Sequence, residues 1–189
     1  MQTAELLKAL SGPLKKVQVQ ELATLTGAGR LPVHDLLSLC FLKEHPSVAF
    51  RSSWVLEEVA HRNPDRFAPY LPEFVKRLPE QQNLSCQRHF TKILMFCIAP
   101  KADLRYSAAW QAIPDRAPVV ETVFDWLIHP HTPVAVQVNC LDVLLYLQAE
   151  FPWVNDELKA QVEYLLKEGS PAMQSRGKKI LQRISKGKS

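Results

Sequence analysis

Apolar residues recur three and four positions apart along almost the whole chain, in AELLKAL, VQVQELATL, VHDLLSLCFL, WVLEEVA, EFVKRL, KILMFCIA, VETVFDWL, VNCLDVLLYL, LKAQVEYLL and KKILQRI. That is the period of a helix with a buried face, and the strict alternation of a half-buried strand is missing. The pattern predicts an all-α fold. Thr132-Pro133 and Ser170-Pro171 each offer an N-cap oxygen followed by proline at the first helical position; Ser11 with Pro13, Pro32 and Pro118 are looser start signals. Asn63-Pro64, Ala99-Pro100 and Phe151-Pro152 read as stops, because a residue before proline avoids the α region. The expected helices are short, about 10 to 16 residues.

The same elements repeat. HPSVAFRSSWVLEEVA, QNLSCQRHFTKILMFCIA, TPVAVQVNCLDVLLYL and SPAMQSRGKKILQRI align without gaps when anchored on Pro46, Asn83, Pro133 and Pro171. The fifth residue after each anchor is Arg51, Arg88, Val138 and Arg176. Each stretch follows another helix by one short turn, so the unit is helix A, turn, helix B, recurring after 37, 50 and 38 residues. The long interval contains the additional segment KADLRYSAAWQAIPDR. A lone helical hairpin cannot hide its apolar face, so several must stack, each against its neighbours.

These hairpins resemble the HEAT-like and armadillo-type α-solenoid families. Residues 33–185 are more closely similar to short bacterial HEAT-like proteins with an R-x-x-W-V-L-E pattern in one B helix. The resemblance implies a right-handed α-solenoid of stacked antiparallel hairpins forming one domain over residues 1–189. Its expected parts are an N-terminal cap hairpin at 1–30, repeat hairpins at 33–62, 68–99, 117–151 and 156–185, and an insert at 101–116 projecting from one edge.

Composition fits that picture. Six glycines against 14 prolines suit many short helices better than a sheet rich in tight turns. The net charge of +4 is uneven: no acid follows Glu168, whereas Arg176, Lys178, Lys179, Arg183, Lys186 and Lys188 do, leaving 17 basic against 19 acidic residues elsewhere. Cys40, Cys86, Cys97 and Cys140 form no CxxC pair and sit in apolar helical patterns, as buried thiols of a reducing compartment do. The start MQTAELLKAL lacks a signal-peptide pattern, and the apolar run from Ile93 to Ala99 is too short to span a bilayer. A cytoplasmic protein without membrane attachment is expected.

Candidate chemistry is sparse. On a helical wheel Phe50, Trp54 and His61 lie nearly opposite the main apolar face of their helix, with Arg51 in a polar stripe beside them. Burial of Phe50 and Trp54 between repeats is the preferred reading; the alternative places one of them in a groove as an anchor for a partner. The recurring Arg51, Arg88 and Arg176 read as a structural ladder holding hairpins in register, or as a row facing a ligand. Adjacent Glu57 and Glu58 point about 100° apart and cannot flank one reacting centre. His129-Pro130-His131 lacks a third ligand at useful spacing, and no phosphate-binding loop or hydrolase motif is present. The remaining partner-binding candidates are Arg105, Tyr106 and Trp110 in the insert and Lys178, Lys179 and Arg183 near the C-terminus.

The expectation is a non-enzymatic scaffold, without metal, cofactor or small-molecule substrate, that binds protein or peptide on a concave face lined by B helices. Two alternatives stand beside it. One is a DNA-binding protein similar to the HEAT-like alkyl-purine DNA glycosylases, and the other is a structural subunit of a larger assembly.

Overall fold

The computed structural model describes residues 3–186; Lys188, counted above in the basic tail, lies outside them. Twelve α-helices follow one another: α1 Thr3–Ser11, α2 Lys16–Gly27, α3 Val33–Leu39, α4 Pro46–Arg62, α5 Pro64–Phe67, α6 Leu71–Lys76, α7 Leu84–Ile98, α8 Leu104–Gln111, α9 Ala117–Ile128, α10 Val134–Leu147, α11 Val154–Leu165 and α12 Pro171–Lys186. No strand occurs among the described residues. The fold is the all-α stacked-hairpin solenoid expected from the repeat.

Helices α2, α4, α7, α10 and α12 pack side by side in chain order and form one layer, the B layer. Against it lie α1, α3, α5 with α6, α9 and α11, the A layer. Spacing explains which face each helix buries. Val48, Ser52, Val55, Leu56 and Val59 of α4 recur at three and four residues and turn inward, as do Phe90, Ile93, Leu94 and Cys97 of α7. Ser52 and Ser53 are enclosed although polar. Each donates its hydroxyl to the carbonyl four residues earlier, at 2.9 and 2.8 Å, so two small side chains admit the neighbouring helices without leaving a donor unpaired.

Polar side chains tie each hairpin to the previous one. Gln81 donates to the Cys40 carbonyl at 3.0 Å and Asn83 to that of Pro46 at 3.1 Å, joining equivalent turns one repeat apart. Asn139 of α10 donates to Thr91 Oγ1 of α7 at 3.0 Å. At the C-terminal end α12 approaches α11 across Gly177, where an added Cβ would meet Leu166 Cδ2 at 3.0 Å and Val162 Cγ1 at 3.2 Å. Glycine costs a helix stability but permits this close crossing.

Three local expectations need correction. The second A helix is broken: short 3₁₀ turns at Ala68–Tyr70 and Leu78–Glu80 interrupt it, each with a proline in its first two positions. Proline removes a backbone donor, so Pro64, Pro69, Pro72 and Pro79 repeatedly restart the helix. Thr132 is no N-cap; Pro133 occupies that position, and the buried Thr132 hydroxyl has no hydrogen-bond partner. Nor does the insert project from an edge. Tyr106 and Trp110, one turn apart on α8, are 2% and 5% exposed and fasten that helix onto the stack.

Candidate partner-binding face

The face of the B layer turned away from the A layer carries the side chains that the core does not absorb. On α4 these are Phe50, Trp54 and His61, at the outward positions of the wheel; Phe50 and Trp54 are partly buried and His61 is exposed. Trp54 is therefore neither covered by the next repeat nor free. Its ring stacks at 19° on His89 of α7 with centroids 6.5 Å apart, and Phe50 packs on the same imidazole at 5.2 Å. His61 stacks on Phe96 at 4.8 Å, extending the aromatic seam between α4 and α7.

A charged cluster fixes that seam from below. His89 Nδ1 donates to Glu57 Oε2 at 2.5 Å, and Lys92 Nζ donates to Glu57 Oε1 at 3.0 Å. A carboxylate only accepts, so the imidazole proton sits on Nδ1 and leaves Nε2, which is buried and has no hydrogen-bond partner. Burial pushes the Glu57 carboxyl up, but hydrogen bonds from His89 and Lys92 outweigh it and hold the group below the usual carboxylate range. Glu57 thus orients a histidine and a lysine, the work of a positioning carboxylate.

The recurring arginines do not share one role. Arg51 Nη1 donates to the carbonyls of Leu10 and Ser11 at 2.9 and 3.0 Å, satisfying two acceptors left over at the C-terminal end of α1. Arg176 Nη1 donates to Asp142 Oδ1 of α10 at 3.3 Å. Arg88 is exposed and has no acidic partner among the described residues. Two rungs of the ladder are occupied and the third faces solvent.

Asp142 is the carboxylate that sequence reading missed. It occupies the outward side of α10, yet it is only 2% exposed, and its Oδ2 accepts no hydrogen bond. Burial raises its pKa above the ordinary value, partly offset by the charges of Arg176 and Arg183. On α12 itself Lys178, Lys179 and Arg183 are exposed, so this basic field remains available.

The insert candidates lie elsewhere. Tyr106 donates its hydroxyl to the Ala60 carbonyl, and Trp110 Nε1 donates to Glu150 Oε2 at 3.0 Å, so both rings serve packing rather than an exposed edge. Arg105 is exposed and pairs with Asp103 of its own helix start at 3.1 Å. Arg116, not singled out from sequence, binds Glu150 and donates to the carbonyls of Trp110 and Ile113 at 3.3 and 2.7 Å. The four cysteines are buried and reduced; burial pushes Cys86 up to about 11 and raises the other three further. His129 and His131 stand in the exposed turn before α10 with their rings 5.6 Å apart.

The sequence model of the HEAT repeat domain matches residues 6–184. The chain belongs to that family. The match to the HEAT repeat domain begins within α1 and ends within α12. Comparison with curated proteins and with solved structures returned no match. No helix among the described residues of the HEAT repeat domain is long and apolar enough to cross a membrane.

Proposed function

We propose that this HEAT repeat domain is a non-enzymatic scaffold that holds a protein segment on the open face of its B layer. The observation that carries the reading is the Trp54, Phe50 and His89 seam, which leaves aromatic surface partly open on the side away from the core, beside the unpaired Arg88. Aromatic and arginine side chains together are the usual anchors of protein interfaces. A permanent end-to-end assembly has less support, because α12 turns Lys178, Gln182 and Ser185 outward rather than an apolar surface. The test is photo-crosslinking in cells from a residue introduced at Arg88 or Lys92, with Glu121 on α9 as the control. A shared adduct from both open-face positions, absent from the control and lost on Trp54→Ala, is expected. Equal labelling from Glu121, or none from the open face, overturns the reading.

A second reading, a DNA-associated protein similar to the HEAT-like alkyl-purine DNA glycosylases, is favoured by one observation: the exposed basic field of Lys178, Lys179 and Arg183 on α12. Fluorescence anisotropy with duplex DNA tests it, since phosphate recognition by α12 must weaken steeply with salt. Absence of salt-sensitive binding removes this reading.

A further inference from the structure

The two layers differ in charge. The B-layer helices α2, α4, α7, α10 and α12 carry ten Lys and Arg against four Asp and Glu, whereas the A-layer helices α1, α3, α5, α6, α9 and α11 carry four against nine. Three of the four B-layer acids are already engaged: Glu57 by Lys92 at 3.0 Å, Glu58 by Arg62 at 2.5 Å and Asp142 by Arg176 at 3.3 Å. The surplus therefore rests on Lys16 on α2, Arg88 on α7 and Lys178, Lys179 and Lys186 on α12, which have no acidic partner among the described residues, and on Arg183, whose charge also acts on Asp142.

Resting on the binding reading above, we infer that the segment held on the open face is acidic at both ends and apolar between them. Helix α10, which separates α7 from α12, contains no Lys or Arg and offers Ala135, Val138 and Tyr146 on its outward side. Neighbouring helices pack about 8–10 Å apart, so about 20 Å separates the two cationic sites. An extended peptide advances about 3.3 Å per residue and crosses that interval in about six residues, free to be apolar over Val138 and Tyr146. A nucleic acid has no such freedom. Duplex DNA carries a charge about every 1.7 Å of its axis, so its phosphates would continue across the uncharged stretch and past Asp142. The pattern of cation, apolar strip and cation complements a protein segment better than a continuous polyanion.

The probe is a fluorescein-labelled synthetic peptide with three glutamates at each end and six alternating leucine and serine residues between. Controls are the same peptide with lysine for glutamate, and single-stranded and duplex DNA of matching charge. The acidic peptide is expected to bind, to weaken with salt, and to lose at least tenfold in affinity to Arg88→Glu or to Lys179→Glu with Arg183→Glu. Lys76→Glu in the A layer, with melting curves confirming that each variant folds, is expected to leave binding unchanged. Equal binding of the lysine peptide, or tighter binding of either DNA, overturns the inference. The cellular crosslink separates the two claims: an open-face adduct on a basic segment sinks the charge assignment and leaves the scaffold reading standing, whereas no open-face adduct removes both.

Discussion

Tyr106, on the helix that interrupts the repeat, donates its hydroxyl to the carbonyl of Ala60, in the last turn of α4. That carbonyl would ordinarily accept from the backbone four residues on, but residue 64 is proline and has no N–H. The insert therefore supplies a donor that the chain removed elsewhere. Tyr106→Phe keeps the ring and orphans a fully buried acceptor, so unfolding in urea is expected to show a loss of about 1–3 kcal/mol. Tyr106→Ala also removes the packing against Phe67, whose ring centroid lies 6.2 Å away, and is expected to cost about 3–5 kcal/mol. Equal stability of Tyr106→Phe and the parent protein contradicts this assignment.

Arg51 provides the second case of a side chain closing a helix end. Its guanidinium holds the last carbonyls of α1, so Arg51→Ala should loosen the first hairpin locally rather than the whole stack. Hydrogen exchange is the measurement: α1 amides should exchange about tenfold faster, while those of α10 keep their rate. A hydrogen bond to a charged group is worth about 1.5–3 kcal/mol, and the partial exposure of Arg51 places the effect at the lower end.

Two carboxylates on the open face give opposite pH signatures. Glu57 has a lowered folded-state pKa, so its contribution is present above the unfolded-state value and disappears as pH falls through the folded one. Asp142 has a raised folded-state pKa, so its ionisation opposes folding as pH rises through the unfolded and then the folded value. Glu57→Gln is expected to lower the melting temperature at pH 7, with the difference shrinking below pH about 4. Asp142→Asn, relieved of a buried charge, should gain relative to the parent at pH 7 and lose that gain in acid. Parallel pH trends for the two variants would show that the charges do not act this way.

Gly177 sets the distance between α11 and α12. Alanine there gains helix propensity of about 1 kcal/mol and presses on Leu166 and Val162, so Gly177→Ala should fall within about 1 kcal/mol of the parent. Gly177→Val adds two methyls to the same contact and should destabilise the protein by about 1–3 kcal/mol or more, measured by thermal melting. If valine is tolerated as well as alanine, the crossing is looser than the structure shows.

The fold was legible because its determinants are local and periodic. Apolar spacing and prolines at helix starts act within a turn or two, and Arg51, Arg88 and Arg176 recur at one fixed offset from the start of their repeats. The misreadings involve the same residue types in less regular settings. Pro64 marks a stop, but Pro72 and Pro79 lie inside LPEFVKRLPE, where the apolar period predicts one unbroken helix. Tyr106 and Trp110 stand four apart, the mark of a buried stripe, yet the broken period drew attention to them as an exposed edge. The site was less legible because its partners are distant in sequence. His89 meets Glu57 across 32 residues and Arg176 meets Asp142 across 34, and no local pattern announces either pair.

The position of α8 has one further consequence, for how the stack comes apart. In a linear array each unit touches only its neighbours, and the ends open independently of the middle. Tyr106 reaches back to α4 and Trp110 reaches forward to Glu150 just beyond α10, where Arg116 at the start of α9 also binds; α8 packs on α6 and α7 as well, so a single short helix clasps three successive hairpins. Residues 33–150 are therefore expected to melt as one cooperative block, with fraying confined to the first hairpin and to α11 with α12, the unit whose cations complete the open face.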